Sequence, residues 1–279
     1  MIMGGIPFYL RLLDPQYDFN ENIDRLFFKL KGELWNEFNL LYHTLFSNSE
    51  KYIQIVETVN GKKSGHTRNE ISEKTGLPAN GKLSQMLGDL VDSGFLRKYS
   101  FYEKKKKEVL YQLSDYYTLF YLRFIKDDYG KDEHAWSNMN DNPRRRAWSG
   151  FTFEQLCKDH INEVKQKLGI SGVLTEISTW YLKGSESDDE GSRGAQIDIV
   201  IDRRDHVVNL CEIKFSINEF EIDKEYDMIL RNKIAAFNRA TNCKKTVQVT
   251  MVTTYGVKNN KYRSIVGKEV VLDDLFGNA

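Results

Sequence analysis

The stretch AQIDIVIDRRDHVVNLCEIKF, residues 195–215, decides how the chain is read. Its two apolar runs, 195–201 and 207–215, have the length and β-branched content of strands, with a short polar turn between them. Each run carries charge where a buried strand has little place for it. Asp198 sits among Ile197, Ile199, Val200 and Ile201; Glu212 and Lys214 sit among Leu210, Cys211, Ile213 and Phe215. A buried ionisable group is costly unless it is paired or binds a metal. Side chains alternate along a strand, so Glu212 and Lys214 share a face. With the turn centred on Asp205, Asp198 falls opposite Glu212 in an antiparallel pair and joins them. A slip of one residue would send it to the other face.

Two carboxylates and an ammonium converging in a sheet are what metal-assisted phosphodiester hydrolysis requires. Mg²⁺ takes oxygen ligands and is held by one or two carboxylates with water and phosphate oxygens. Asp198 and Glu212 are therefore the expected ligands of Mg²⁺ (or Mn²⁺), and Lys214 is the cation expected to stabilise developing phosphate charge. Glu154, at the edge of an upstream apolar stripe, is a further acidic candidate; a helix-start acid that complements the dipole reads the same way.

Working outward, Phe153, Leu156, Cys157, His160, Ile161, Val164 and Leu168 mark a helix ending near Gly169. Residues 173–182 read as a strand and 184–194 as a loop. Upstream, residues 24–45 read as one helix with Leu26, Phe27, Leu30, Leu34, Phe38, Leu41 and Leu45 as its stripe. A short helix over 52–59 follows. Thr67 and Glu70 then form a capping box, and that helix stops at Gly76-Leu77-Pro78. The next helix, 81–93, carries the stripe Leu83, Met86, Leu87, Leu90 and Val91, with Gly94 placed to end it. Two strands, 95–101 and 109–113, flank a basic turn. This is the element order of a winged helix-turn-helix. Lys82, Ser84, Gln85 and Gly88 lie away from the stripe and face DNA in that reading, and Lys104, Lys105, Lys106 and Lys107 form the wing. Between Glu50 and Leu113, twelve Lys and Arg stand against eight Asp and Glu, the mild positive bias of a phosphate-contacting module. A lysine-rich hairpin tip also serves simply to keep a strand edge soluble. Residues 114–126 read as an aromatic-rich helix, and 127–147 as a linker.

Whole-chain charge says nothing of partners, since Lys+Arg and Asp+Glu are both 40. Cys157, Cys211 and Cys243 are far apart and odd in number, which argues for a reducing cytosol and small buried hydrophobes rather than disulfides. The five histidines form no metal-binding pair, and a zinc enzyme is not expected. No apolar run approaches the roughly 18 to 20 residues of a membrane span. The apolar start MIMGGIPFYLRLLDP lacks the marks of a signal peptide. A cytoplasmic protein is expected.

Together, Glu154, Asp198, Glu212 and Lys214 resemble the motif of the PD-(D/E)XK nuclease superfamily, the restriction-endonuclease-like fold. The match departs at Ile197, where that family often has Pro. The resemblance implies that a residue of the following helix, Arg231 or Lys233, assists. More broadly, MGGIPFYLRLLDP, NIDRLFFK, RGAQIDIVIDRRDHVVNLCEIKFS and MVTTYGVKNNKY resemble segments of archaeal-type AAA ATPases. Those proteins place a winged helix and a nuclease-like domain after an ATP-binding domain. No G-x-x-x-x-G-K-[ST] loop occurs, so no ATPase activity is expected from this chain alone.

The expected fold class is α+β. A helical remnant resembling an ATPase lid (1–48), a winged helix-turn-helix (49–126) and a linker (127–147) precede a restriction-endonuclease-like α/β domain with a mixed sheet (148–279). The expected function is DNA binding with metal-dependent phosphodiester hydrolysis. Two alternatives stand: an inactive nuclease fold serving as a binding module, and the accessory part of an ATPase whose nucleotide-binding part is on another chain. A protein partner is expected through residues 1–45, and no membrane.

Overall fold

The computed structural model describes residues 1–62, 64–102, 109–127, 130–182, 184 and 194–277. The chain is mixed α+β and divides into two compact units. The first comprises Met1–Lys98 and Val109–Trp148, and the second Tyr99–Glu108 and Ser149–Ala279. Among the described residues, no helix is long and apolar enough to cross a membrane.

The first unit opens with α1 (Pro7–Arg11) and α2 (Phe19–Ile23), a wide π-type turn over Asp24–Phe28, and α3 (Glu37–Leu45). The single helix expected over 24–45 is thus broken. Lys31 has a φ of 65°, and the turn folds so tightly that a Cβ on Gly32 would lie 2.6 Å from the Leu26 carbonyl oxygen. Leu34 N–H donates to that same oxygen. Leu26, Phe27, Leu34 and Phe38 are buried as the stripe requires, but the turn leaves Leu30 exposed.

Then come α4 (Ser49–Asn60), β1 (His66–Thr67), α5 (Arg68–Thr75), α6 (Gly81–Asp92), β2 (Leu96–Phe101) and β3 (Val109–Leu113). Both halves of the capping box form at α5: Thr67 Oγ1 accepts from Glu70 N–H, and Glu70 accepts from Thr67 N–H at 2.7 Å. Gly76 ends α5 in the left-handed conformation, φ 71°, which glycine adopts without a Cβ penalty. Asn80 caps α6 by accepting from Lys82 and Leu83 N–H. Leu83, Met86, Leu87 and Leu90 are buried beneath it. β1 pairs antiparallel with β3.

The unit closes with α7 (Tyr116–Phe120) and the first residues of α8 (Pro143–Asp159). The expected linker is instead part of the first unit: residues 130–147 are mostly exposed but are anchored at Trp136. Trp136 is buried against Phe120 and Phe124, with the Arg145 guanidinium 4.4 Å from its ring. Asp24, buried by the same fold, accepts from the Trp136 N–H at 2.8 Å and the Ser137 N–H at 3.2 Å. Most of the segment's polar side chains face solvent, and the Asp24 carboxylate supplies the capping.

The second unit holds the remainder of α8, α9 (Ile161–Lys167), β4 (Thr175–Leu182), β5 (Ala195–Arg203), β6 (Val207–Lys214), α10 (Lys224–Thr241), β7 (Thr246–Thr253) and β8 (Val266–Val271). Its sheet is mixed. Ser100 and Phe101 pair parallel with β4; β4, β5 and β6 are antiparallel neighbours; β6, β7 and β8 run parallel. Helices cover both faces. Phe153 and Cys157 of α8 pack with Ile199, Ile201, Cys211 and Ile213 on one side. Ala236 and Phe237 of α10 pack with Ile197, Val200, Val208 and Leu210 on the other. The continuous apolar runs of β5 and β6 reflect this double coverage. Cys157 and Cys211 are buried and free, as small hydrophobes.

Candidate functional site

β5 and β6 pair with Ile199 opposite Cys211 and Val200 opposite Leu210, a register whose midpoint is Asp205. One step beyond Ile199 and Cys211 stand Asp198 and Glu212. There the ladder ends. The Ile213 N–H is taken by a side chain instead: Asp198 Oδ2 accepts it at 2.9 Å. The strands thus part where the two carboxylates lie, and backbone that would otherwise be orphaned holds Asp198 in place.

Glu212, 4% exposed, is the most heavily partnered group in the site. Lys233 Nζ donates to both its oxygens at 2.7 Å. Tyr226 O–H donates to Oε1 at 3.1 Å, and Lys214 Nζ lies 3.3 Å from the same oxygen and 5.5 Å from the Tyr226 ring. Tyr226 and Lys233 are seven residues apart on α10, two turns along one face. Of the two helix cations considered from sequence, Lys233 enters the site, whereas Arg231 pairs with Asp227 at 2.8 Å. Burial and the Glu212 charge push the Tyr226 phenol well above its ordinary range, so it stays a donor at neutral pH.

Asp198 has the opposite environment. It forms no ion pair among the described residues; both lysines sit on Glu212. Burial first, then the charges of Glu212 and Glu154, raise its carboxyl from 3.8 to about 7. Glu154, on α8, thus acts on Asp198 through its field. Among the described residues, no three His, Cys, Asp or Glu side chains are grouped as a metal-holding set. The arrangement is two carboxylates, two ammonium groups and a phenol, where two strands diverge.

In the first unit, Lys82, Ser84 and Gln85 are exposed along α6 opposite its buried stripe, and Gly88 is half-buried. Arg68, which the sequence reading passed over, donates to Ser84 Oγ at 3.0 Å and adds a guanidinium to that face. Lys104, Lys105, Lys106 and Lys107 lie outside the described residues.

No family model matches the chain. It is 23% identical over 188 residues to an uncharacterized protein of Methanocaldococcus jannaschii, a match that takes in 66% of this chain and 42% of that protein. The chain therefore spans less than half of that relative's length. The crystal structure of a protein of unknown function, AF1548, aligns at a TM-score of 0.29 and 18% identity, over 41% of this chain and 56% of that one. Neither relative's description names an activity.

Sequence reasoning missed Tyr226 and left Lys233 unresolved against Arg231. The signal for both lay in helical spacing: an aromatic and a lysine two turns apart, facing a sheet. It is not distinctive without coordinates to say which face meets Glu212.

Proposed function

We propose that the second unit is a divalent-metal-dependent phosphodiesterase of the restriction-endonuclease-like kind, and that the first presents α6 to DNA in the manner of a winged helix. The carrying observation is the convergence of Asp198, Glu212 and Lys214 at the point where β5 and β6 separate. The donor set suits a hard cation. Asp198 forms no ion pair among the described residues, and burial first, then the charges of Glu212 and Glu154, raise its carboxyl to about 7. Asp198 and Glu212 would hold Mg²⁺ or Mn²⁺, which when bound lowers the pKa of a water and neutralises phosphate charge.

The chain's own residues supply the rest. Ile213 N–H orients Asp198. Tyr226 O–H fixes Glu212 Oε1. Lys214, partly exposed beside Glu212, is placed to stabilise charge on a non-bridging phosphate oxygen. The exposed Lys82 and Gln85, with Arg68 behind Ser84, would contact duplex DNA. The likeness to the C-terminal part of archaeal-type AAA ATPases fits this layout and leaves room for an ATPase acting with it, and residues 1–45 are the place for that contact.

A second reading is an inactive fold that binds DNA or protein. It is favoured by Glu212, whose two oxygens are both taken by Lys233. Plasmid DNA with Mg²⁺ or Mn²⁺ tests the two. Metal-dependent cleavage by the wild type, absent in Glu212→Ala and Asp198→Asn, is the expected result. DNA that is retarded but never cut would favour the second reading, and equal cleavage by all three proteins would reject the site.

A further inference from the structure

Away from the sheet, two guanidinium groups of the first unit share one aromatic ring. Residues Tyr121–Ile125 continue α7 as a π-type turn, and α8 starts at Pro143. Arg144, in the first turn of α8, donates to the Arg123 carbonyl oxygen and ties the two segments together. The Arg144 guanidinium lies 4.8 Å from the centroid of the buried Phe124 ring, and that of Arg123 lies 6.0 Å from it. Arg123 is exposed, and among the described residues its side chain makes no ion pair and no hydrogen bond. Burial first, then the Arg144 charge, hold its pKa below the ordinary value. Neighbouring charges are already engaged. Lys126 holds Glu57 at 2.8 Å, and Arg146 donates to the Asp141 carbonyl oxygen at 2.9 Å. The helix end is engaged too: the Arg144 N–H donates to Asn142 Oδ1, and the Arg145 and Arg146 N–H groups donate to the Asn142 carbonyl. What remains to be satisfied is the cation pair.

Like charges brought together at a partly desolvated surface repel. Here a backbone hydrogen bond and a shared ring hold them in place, so the pair is set for an anion that engages both. A guanidinium is a planar fork that matches phosphate oxygens, and a phosphodiester has two non-bridging oxygens, one for each fork. We infer that Arg123 and Arg144 form a phosphate-recognising pair that grips one phosphodiester of a nucleic-acid backbone, in addition to the contacts of α6. Naming nucleic acid as the source of the phosphate rests on the reading of the first unit as a DNA-binding module. The pair itself depends neither on that reading nor on the carboxylates of the second unit. A contact of this kind positions the duplex and reads no sequence.

The test is duplex-DNA binding, followed by fluorescence anisotropy across a series of KCl concentrations with a chelator present. The proteins are the wild type, Arg123→Gln, Arg123→Lys and Lys82→Ala, each checked for folding by circular dichroism. A parallel arm compares their thermal unfolding midpoints in inorganic phosphate and in chloride of equal ionic strength. Arg123→Gln should lower the slope of log affinity against log salt by about one and weaken binding about tenfold at low salt. Arg123→Lys should keep the slope, because the charge remains, and recover only part of the affinity, because the fork is lost. Phosphate should raise the midpoint of the wild type and of Lys82→Ala more than that of Arg123→Gln. An unchanged slope in Arg123→Gln together with an equal phosphate shift in all four proteins would overturn the pair. A phosphate shift lost in Arg123→Gln while its DNA slope is unchanged would keep the pair and overturn the nucleic-acid source in favour of a free phosphate group. An unchanged slope in Lys82→Ala alone would count against α6 and leave the arginine pair standing. Should the wild type bind no DNA, the DNA reading falls and the phosphate arm still decides the pair.

Discussion

Asp198→Asn separates what the site costs the fold from what it does chemically. Burial, Glu212 and Glu154 raise the Asp198 carboxyl from 3.8 to about 7. A carboxyl whose folded pKa exceeds its unfolded value binds its proton more tightly in the native state, so stability is greatest at low pH and falls as pH rises from about 4 to about 7. Above that window the ionised group costs the fold roughly 4 kcal/mol, at about 1.4 kcal/mol per pH unit. Asparagine has the same shape, its side-chain oxygen accepts the Ile213 N–H, and it carries no charge. The metal-free variant should therefore be more stable than the wild type by about 4 kcal/mol at pH 8, a gap that shrinks to about 1 kcal/mol at pH 4.5. Urea unfolding at both pH values, with a chelator present and followed by far-UV circular dichroism, measures it. A variant less stable than the wild type at pH 8, or a gap that does not change with pH, would refute the assignment of Asp198 as a buried acid with a raised pKa.

Other outcomes follow from the same structure. Lys214→Met should retain the fold and lower metal-dependent cleavage on the order of 100-fold, as expected for a cation acting on phosphate charge and read by single-turnover kinetics. Gly32→Ala should destabilise the first unit by about 3 kcal/mol in thermal unfolding, since its Cβ would lie 2.6 Å from the Leu26 carbonyl oxygen; a neutral effect would show that the turn is not as tight as drawn. Leu87→Ala, at a fully buried position under α6, should cost about 3 kcal/mol in urea unfolding. Lys82→Ala should weaken DNA binding across all sequences and reduce its salt dependence by about one unit of slope, whereas an unchanged slope would remove α6 from the DNA contact.

Much of the architecture was legible because local rules decided it. Thr67 and Glu70 announced a helix start, Gly76 and Gly94 announced helix ends, and the uninterrupted apolar runs around Asp198 and Glu212 marked strands covered on both faces. Register was legible too, since a short turn at Asp205 fixes which residues oppose one another. What escaped was set by tertiary contact. The helical spacing over 24–45 is real, but Lys31 and Gly32 fold back on Leu26, and no periodicity records that. Residues 130–147 read as a linker because most of their side chains are exposed; what ties them down is tertiary, the Asp24 carboxylate accepting from the Trp136 and Ser137 backbone N–H groups. Lys233 and Arg231 differ by two positions on one helix, and only the packing of α10 against β6 sends the first to Glu212 and the second to Asp227.

The central claim is that Asp198 and Glu212 together hold a divalent cation. Anomalous diffraction from crystals soaked in Mn²⁺ and phosphate tests it without reference to activity. The proposal predicts a manganese peak at Asp198 and Glu212. A structure with Lys233 still on both Glu212 oxygens and no manganese at Asp198 would contradict it.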